Sequence, residues 1–331
     1  MLYPLKFKPI LKSLVWGGEK IAPYKGISTE QTNIGESWEL SGVPGNESVV
    51  AEGPLAGRTI AELVSEFKGD LVGRKVYDTT GDQFPLLIKF IDARSDLSVQ
   101  VHPNDALAAV RHNGSKGKTE MWYVVMADEG AHLLSGLKKE IGPDDYVRLV
   151  AEDRITEVLA DYPVHEGDVF FLPAGRIHAI GAGTFVAEIQ QTSNITYRIY
   201  DYGRLGLDGK PRELHTELAK DAIDYSVSED YRTRYEDIKD AENLLVDCPY
   251  FTTSLYDLTG ANPVEADTAA LDSFVVVMCL GGEGEIIDTE ADGSVHKVSV
   301  HQGETVLIPA TSASLVFQPS GPLKLLAAHI R

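Results

Sequence analysis

Four side chains of this sequence could together bind a divalent metal ion: Gln100, His102, Glu120 and His178. They supply one amide oxygen, two imidazole nitrogens and one carboxylate, which are donors that a borderline ion such as zinc accepts. Because the Gln oxygen is neutral, a bound 2+ ion would keep a net positive charge. That charge suits the polarisation of a carbonyl group.

The positions of these residues predict a site built on strands. Successive side chains of a strand point to opposite faces, so Gln100 and His102, two residues apart, would share one face. The apolar run at 168–172 ends at Pro173 shortly before His178, as expected of a strand that leaves through a turn. We therefore expect the ligands to meet across strands of a sheet or barrel.

Short apolar runs bounded by turn residues predict a mainly β protein with a few inserted helices. The clearest predicted strands are 99–102, 121–126, 168–172, 185–191, 274–280 and 305–308. Helices are predicted at 59–67, where Thr59 and Glu62 form a capping pattern, and at 104–111, which Asn104 would cap. Two further helices are predicted at 144–159 and 217–222.

An internal repeat predicts two β-barrels of one type. Residues 166–174 align without gaps on 302–310, and 123–126 resemble 275–278. We divide the chain into an N-terminal catalytic domain, 1–240, with short helical insertions, and a C-terminal barrel, 241–331.

The second copy of the repeat lacks the metal donors. In register, Ser314 stands opposite His178 and roughly Asp272 stands opposite Glu120, and no Gln-x-His pair precedes this copy. We expect the C-terminal barrel to be structural and without metal ligands.

Composition narrows the classes of partner. The chain has 331 residues, of which 43% are hydrophobic and 24% charged, as in soluble globular proteins. Its formal charge of −20 argues against nucleic acid and anionic membranes as partners. There is no run of about 18 apolar residues that could span a bilayer. Cys248 and Cys279 do not form a C-x-x-C pair, so we expect reduced thiols and a cytoplasmic location.

Several motifs resemble one enzyme family when they are taken in order. They are Trp16-Gly17-Gly18, Gly35-Glu36-Ser37-Trp38-Glu39-Leu40-Ser41, Pro85-Leu86-Leu87-Ile88-Lys89, Ser98-Val99-Gln100-Val101-His102-Pro103, Lys118-Thr119-Glu120-Met121-Trp122, Gly175-Arg176-Ile177-His178-Ala179 and Tyr197-Arg198. The chain resembles the type I phosphomannose isomerases of the cupin superfamily. The short interval between His102 and His178 is similar to that of the shorter bacterial form.

This resemblance implies two cupin-type (jelly-roll) barrels and a zinc-dependent mannose-6-phosphate isomerase, although another divalent metal would also suit the donors. The metal ligands that it implies are Gln100, His102, Glu120 and His178. Arg198 matches the active-site arginine of the family, and Lys89 and Lys118 match lysines that line its pocket. Some relatives have Asp four residues before that arginine, whereas this chain has Asn194, so no carboxylate role is carried over there.

The chemistry of the implied reaction agrees with these residue types. Interconversion of mannose 6-phosphate and fructose 6-phosphate passes through an enediolate, whose negative charge a preplaced cation stabilises. Arg198 is expected to bind phosphate or stabilise charge. Lys118, two residues from Glu120 and so on the same strand face, is expected to transfer a proton, and Lys89 is assigned to substrate binding by resemblance alone.

Alternatives remain at this point. The partner is expected to be a small sugar phosphate, and the chain a monomer or a homodimer. A metal cupin that binds or senses sugars without turnover would need the same donors. A cupin oxygenase could hold Fe(II) with two His and one carboxylate. Arg198 could also serve a structural salt bridge, for example with Asp201.

Overall fold

β-Strands dominate the computed structural model, which describes residues 2–331. In chain order the strands are β1 (Leu5–Lys8), β2 (Ile10–Gly18), β3 (Ile34–Ser41), β4 (Val49–Val50), β5 (Leu86–Asp92), β6 (Val99–Val101), β7 (Glu120–Ala127), β8 (His132–Leu137), β9 (Leu159–Pro163), β10 (Val169–Leu172), β11 (His178–Ile180), β12 (Thr184–Gln191), β13 (Tyr197–Tyr200), β14 (Arg232–Thr233), β15 (Glu242–Asp247), β16 (Thr252–Leu258), β17 (Val264–Asp267), β18 (Val275–Glu290), β19 (Val295–His301), β20 (Thr305–Ile308) and β21 (Ser312–His329). The α-helices are α1 (Ile21–Lys25), α2 (Ile60–Phe67), α3 (Gly69–Val72), α4 (Arg74–Thr80), α5 (Asp105–Arg111), α6 (Pro143–Ala151) and α7 (Thr216–Ala222). The predicted mainly β class is confirmed.

The strands form three sheets. A seven-stranded sheet has the order β14-β10-β7-β12-β5-β3-β2, and a five-stranded sheet has the order β13-β6-β11-β8-β9. A nine-stranded sheet runs β15-β16-β21-β18-β20-β1-β4, with β17 paired to β21 and β19 paired to β18. The candidate ligands therefore lie on the first two sheets.

The seven-stranded and five-stranded sheets enclose one core and make the first barrel. Trp122 of β7 and Phe170 of β10 pack in a single buried cluster with Leu133 of β8 and Ile180 of β11. Apolar side chains from both inner faces thus exclude water between the sheets. The site is built in this interior.

The outer face of the seven-stranded sheet is buried as well. Met121 and Tyr123 of β7 pack with Val276 and Met278 of β18 and with Leu326 of β21. β7 and β12 are covered on both faces: β7 is almost continuously apolar after Glu120, whereas β12 places Glu188, Gln190 and Gln191 among its buried residues. A polar residue inside these strands must therefore be explained by a specific partner.

The repeat appears in the structure as two equivalent strand pairs, with one correction. In the first pair, Leu172 of β10 lies opposite Glu120 of β7. In the second, Ile308 of β20 lies opposite Val275 of β18. Because Leu172 and Ile308 are equivalent in the repeat, the position of Glu120 is taken by Val275, and the predicted equivalence with Asp272 is wrong. A run of similar valines fits either register, so the sequence could not fix it.

The predicted equivalence of Ser314 with His178 stays a prediction. His178 lies opposite Gln100, and Ser314 lies opposite Asp267 in the C-terminal sheet. With that equivalence, Ser314 and Val275 leave the second barrel without the imidazole and the carboxylate of the first. The division at residue 240 stays a prediction, and β1 and β4 of the N-terminal segment pair within the C-terminal sheet.

Three of the four predicted helices form as expected, and one is shorter. Thr59 accepts a hydrogen bond from the Glu62 amide in a complete capping box, and Asn104 caps α5 through the Leu107 amide. The helix predicted over 144–159 ends at Ala151 instead. Asp153 adopts a left-handed conformation with φ of 56°, which stops the helix before a 3-10 turn at Ile155–Val158.

Within residues 2–331, we find no helix that combines the length and the apolar character needed to cross a membrane. Cys248 is half-buried and Cys279 is buried, and both thiols are free.

Candidate active site

One row of the five-stranded sheet carries three of the predicted site residues. Gln100 of β6 lies between His178 of β11 and Arg198 of β13, and is directly opposite each of them. Antiparallel register thus places an amide, an imidazole and a guanidinium side by side on neighbouring strands, about 5 Å apart per strand. His102 follows β6 immediately.

The facing seven-stranded sheet supplies the carboxylates and a lysine. Trp122 of β7, Glu188 of β12 and Lys89 of β5 lie opposite one another across three strands. Glu120 starts β7, two residues before Trp122, so the two side chains point to the same face. The Trp122 ring stands edge-on to the His178 ring, with centroids 5.2 Å apart.

His102, Glu120 and His178 converge between the sheets. Their ligand atoms all lie within 4.8 Å of one another, and all three residues are buried. His178 Nε2 is 3.2 Å from Glu120 Oε1, and His102 Nε2 is 3.5 Å from Glu120 Oε2. These three side chains thus come together, as their spacing in the sequence predicts. Gln100 lines a cavity beside them.

Both imidazoles present Nε2 to the cluster; that of His178 has no hydrogen-bond partner among the described residues, and that of His102 lies 3.1 Å from Lys118 Nζ. His102 Nδ1 lies 2.8 Å from the Ile195 carbonyl oxygen, and His178 Nδ1 lies 2.9 Å from the Arg176 carbonyl oxygen. Because a carbonyl oxygen can only accept, each Nδ1 carries the proton. Burial, and next the charge of Lys118, lowers the pKa of His178 to about 3, and the pKa of His102 is lowered for the same two reasons. Neutral imidazoles of this tautomer are what a metal needs.

The donor set fits a divalent metal ion. Glu120 Oε1 and His178 Nε2 are buried, and neither has a hydrogen-bond partner among the described residues. Leaving such atoms unpaired costs about 1–3 kcal/mol each, so a further group is expected to satisfy them. Two imidazoles, a carboxylate and a neighbouring amide oxygen are the donors of a zinc-type site with room for a substrate or water.

Lys118 reaches this cluster from a loop. Its Nζ lies 2.6 Å from Glu120 Oε2 and 3.1 Å from His102 Nε2, and the side chain is buried. Because β7 begins only at Glu120, the prediction that Lys118 shares a strand face with that residue is wrong. The predicted proximity of the ammonium group to the donors is nevertheless present.

A cavity of about 670 Å³ opens beside the triad. Five cationic side chains line it, namely Lys12, Lys89, Lys118, Arg198 and Arg212, whereas Glu36 and Glu188 are its only acidic ones among the described residues. This local excess of positive charge is opposite in sign to the formal charge of −20 carried by the whole chain. Such a volume and charge suit a small anionic ligand.

Comparison with known proteins assigns the chain to a family. Residues 5–124 match the model described as phosphomannose isomerase type I, catalytic domain. The chain is 34% identical to the mannose-6-phosphate isomerase ManA of Bacillus subtilis, over 92% of its own length and 93% of that relative. The chain belongs to the type I phosphomannose isomerase family.

Two further relatives are similar to this chain over almost its whole length. A mannose-6-phosphate isomerase of Streptococcus mutans is 32% identical over 99% of both chains. The crystal structure of the Bacillus subtilis mannose 6-phosphate isomerase superposes with a TM-score of 0.86, at 31% identity, over 99% of this chain and 100% of that one. The cupin-type architecture and the assignment to an enzyme family are confirmed.

Glu188 is the residue of the site that the sequence did not reveal. It is buried on β12, where its carboxylate lies 3.1 Å from Lys89 Nζ and accepts a 2.8 Å hydrogen bond from Trp122 Nε1. Burial raises the pKa of Glu188, but the charges of Lys118 and Lys89 more than offset this and bring it down to about 2. Glu188 therefore stays ionised. A charged residue inside an otherwise buried strand was its only signal in the sequence.

We expect Glu188→Gln to lower the free energy of unfolding by about 3 kcal/mol, because Lys89 would lose its closest buried counter-ion. The measurement is urea denaturation of the purified protein. Glu36→Gln is the matched control: Glu36 also accepts from an indole, Trp38 Nε1, but lies 3.7 Å from Lys89 Nζ. If both variants lost the same free energy of unfolding, Glu188 would not be the main counter-ion of Lys89.

Proposed function

We propose that this family member interconverts mannose 6-phosphate and fructose 6-phosphate, and that a divalent metal ion, zinc being the first candidate, is required. The supporting observation is a buried triad, His102, Glu120 and His178, beside a cationic cavity, with unpaired donor atoms on Glu120 and His178. With Gln100 as a fourth donor, these residues would hold the ion. When bound, the ion would supply Lewis acidity toward the sugar carbonyl.

Lys118 is proposed to move the proton between C1 and C2. Its buried Nζ contacts both Glu120 and His102, so a sugar bound in the cavity would present its carbonyl end close to this nitrogen. As the neutral amine, Lys118 would take the proton from C2, and as the resulting ammonium it would return that proton to C1. Proton transfer by a positioned side chain typically contributes about 10²- to 10⁴-fold to the rate. The assignment rests on proximity, because Lys118 is the buried lysine nearest to the donors.

Lys89 is proposed to act as a permanent positive charge. Burial lowers the pKa of Lys89, but the carboxylates of Glu188 and Glu36 raise it by more. The pKa of Lys89 therefore lies above the usual lysine range. A lysine that stays protonated cannot serve as a base, but it can orient Glu188 and attract an anionic substrate.

Arg198 is proposed to bind the phosphate group or the developing negative charge. Asp201 makes its ion pairs with Arg204 and Arg212 rather than with Arg198. Among the described residues, no carboxylate lies within 4.0 Å of the Arg198 guanidinium, although this side chain lines the cavity. Its charge is therefore available to a ligand.

The proposed activity is tested by incubating the purified, zinc-loaded chain with mannose 6-phosphate and following fructose 6-phosphate in a coupled assay. Formation of fructose 6-phosphate at a rate proportional to the concentration of the chain supports the isomerase. A zinc-loaded chain that forms no product would exclude it and would favour a sugar-binding cupin. Oxygen consumption with an iron-loaded chain would favour an oxygenase.

A further inference from the structure

The segment after β13 carries two arginines that share one buried carboxylate. Asp201 is only 5% exposed, and its Oδ2 and Oδ1 accept hydrogen bonds from Arg212 Nε at 2.7 Å and from the terminal nitrogen Nη2 of Arg212 at 2.6 Å. Asp201 Oδ1 also accepts from Arg204 Nε at 2.9 Å. The bidentate contact fixes the plane and direction of the Arg212 guanidinium.

A third guanidinium lies nearby without a carboxylate of its own. Arg198 Nη1 donates to the Glu213 carbonyl oxygen at 3.0 Å, while its buried Nε has no hydrogen-bond partner among residues 2–331. Burial, and next the charge of Arg212, lowers the pKa of Arg198, as expected when like charges approach each other. Asp201 thus pairs directly with two of the three guanidinium groups, and Arg198 forms no ion pair with it.

Two of the three guanidinium groups lie at the active-site cavity. Arg198 and Arg212 both line that cavity, whereas Arg204 is not among its lining residues. The other buried cations of the cavity are already neutralised, because Lys89 contacts Glu188 and Lys118 contacts Glu120. Positive charge that remains free for an incoming anion therefore lies on the two arginines and on the half-buried Lys12, whose Nζ donates to the neutral amide oxygen of Asn46.

We propose that Arg212, positioned by Asp201, is a specificity-determining residue that binds the phosphate monoester of the substrate together with Arg198. This inference rests on the proposed isomerase function. Asp201 occupies one edge of the Arg212 guanidinium, so the remaining N–H groups are free to donate to phosphate oxygens. Arg212 would select phosphorylated over unphosphorylated sugars.

The placement suits a hexose 6-phosphate. Gln100 lies opposite both Arg198 and His178 on neighbouring strands, so the triad and the arginines are about two strand spacings apart, roughly 10 Å. The carbonyl of the sugar can then lie at the triad while the phosphate, at the other end of the carbon chain, lies at the arginines.

The test uses Arg212→Gln, which removes the positive charge. Arg212→Lys keeps the charge but loses the two parallel N–H donors of the guanidinium. Arg204→Gln is the matched control. Arg204 shares Asp201 but does not line the cavity. For each zinc-loaded variant, KM and kcat are measured with mannose 6-phosphate. The Kd for inorganic phosphate is measured by the shift in Tm, a readout that does not depend on turnover.

In Arg212→Gln we expect KM and the phosphate Kd to rise by about 10- to 100-fold, as for the loss of one charge-assisted contact, with kcat within about threefold. For Arg212→Lys we expect KM and the phosphate Kd to lie between those of the wild type and those of Arg212→Gln. For Arg204→Gln we expect both KM and the phosphate Kd to stay within about threefold of the wild type. An active enzyme whose KM and phosphate Kd do not respond to Arg212→Gln would overturn the inference and leave the isomerase intact. A wild type that binds phosphate through Arg212 but forms no fructose 6-phosphate would overturn the function and support the anion site.

Discussion

Glu120→Gln is expected to abolish metal binding and to reduce turnover at least about 1,000-fold. The substitution removes the only carboxylate of the triad while keeping its size, so a divalent ion would face neutral donors alone. The ammonium group of Lys118, 2.6 Å from Glu120 Oε2, would also lose its closest counter-ion and repel the cation. Metal content by elemental analysis and kcat with mannose 6-phosphate are the two measurements.

A matched control separates metal loss from misfolding. Asp288 is another fully buried carboxylate, but it lies on β18 of the C-terminal sheet and belongs neither to the triad nor to the lining of the cavity. We expect Asp288→Asn to keep the metal content and turnover of the wild type. If Glu120→Gln kept a stoichiometric metal ion and near-normal turnover, the carboxylate would not be a ligand and the proposed site would be wrong.

Lys118→Met is expected to lower kcat by about 10²- to 10⁴-fold while the metal stays bound. Methionine retains the length and the apolar stem of lysine but cannot carry a proton. The loss should appear equally in kcat and in the exchange of the C2 hydrogen with deuterated solvent, followed by proton NMR. Because Lys118 repels a cation, metal affinity should stay equal or increase.

Lys116→Met provides the control for Lys118→Met, since Lys116 is exposed and lies two residues upstream in the same loop. This variant should behave like the wild type. Hydrogen exchange at C2 that continues at the normal rate in Lys118→Met would assign proton transfer to another group. In that case Lys118 would retain only an electrostatic role.

The sequence predicted the donors because their geometry is local. His102 directly follows β6, two residues after Gln100, and the Pro-Ala-Gly turn shortly precedes His178, so short motifs were sufficient. Glu188 was missed because its role depends on three neighbouring strands: Lys89, Trp122 and Glu188 come together only through register. No local pattern contains that information.

The incorrect predictions have similar causes. Val275 rather than Asp272 occupies the position of Glu120, because a run of valines matches equally well in more than one register. The helix after Pro143 ends early because Asp153 adopts a left-handed conformation, which an Asp side chain tolerates but does not require. Arg212 could not be singled out, since only the fold brings it to Asp201.

The most direct test of a single metal-dependent active site is a titration. The chain is stripped with a chelator, zinc is added in known amounts, and the rate of fructose 6-phosphate formation is measured at each addition. We expect no rate without zinc, a linear rise, and a plateau at one ion per chain for the wild type, with no rise for His178→Ala. Full turnover by the stripped chain, or an unchanged titration in His178→Ala, would contradict the account.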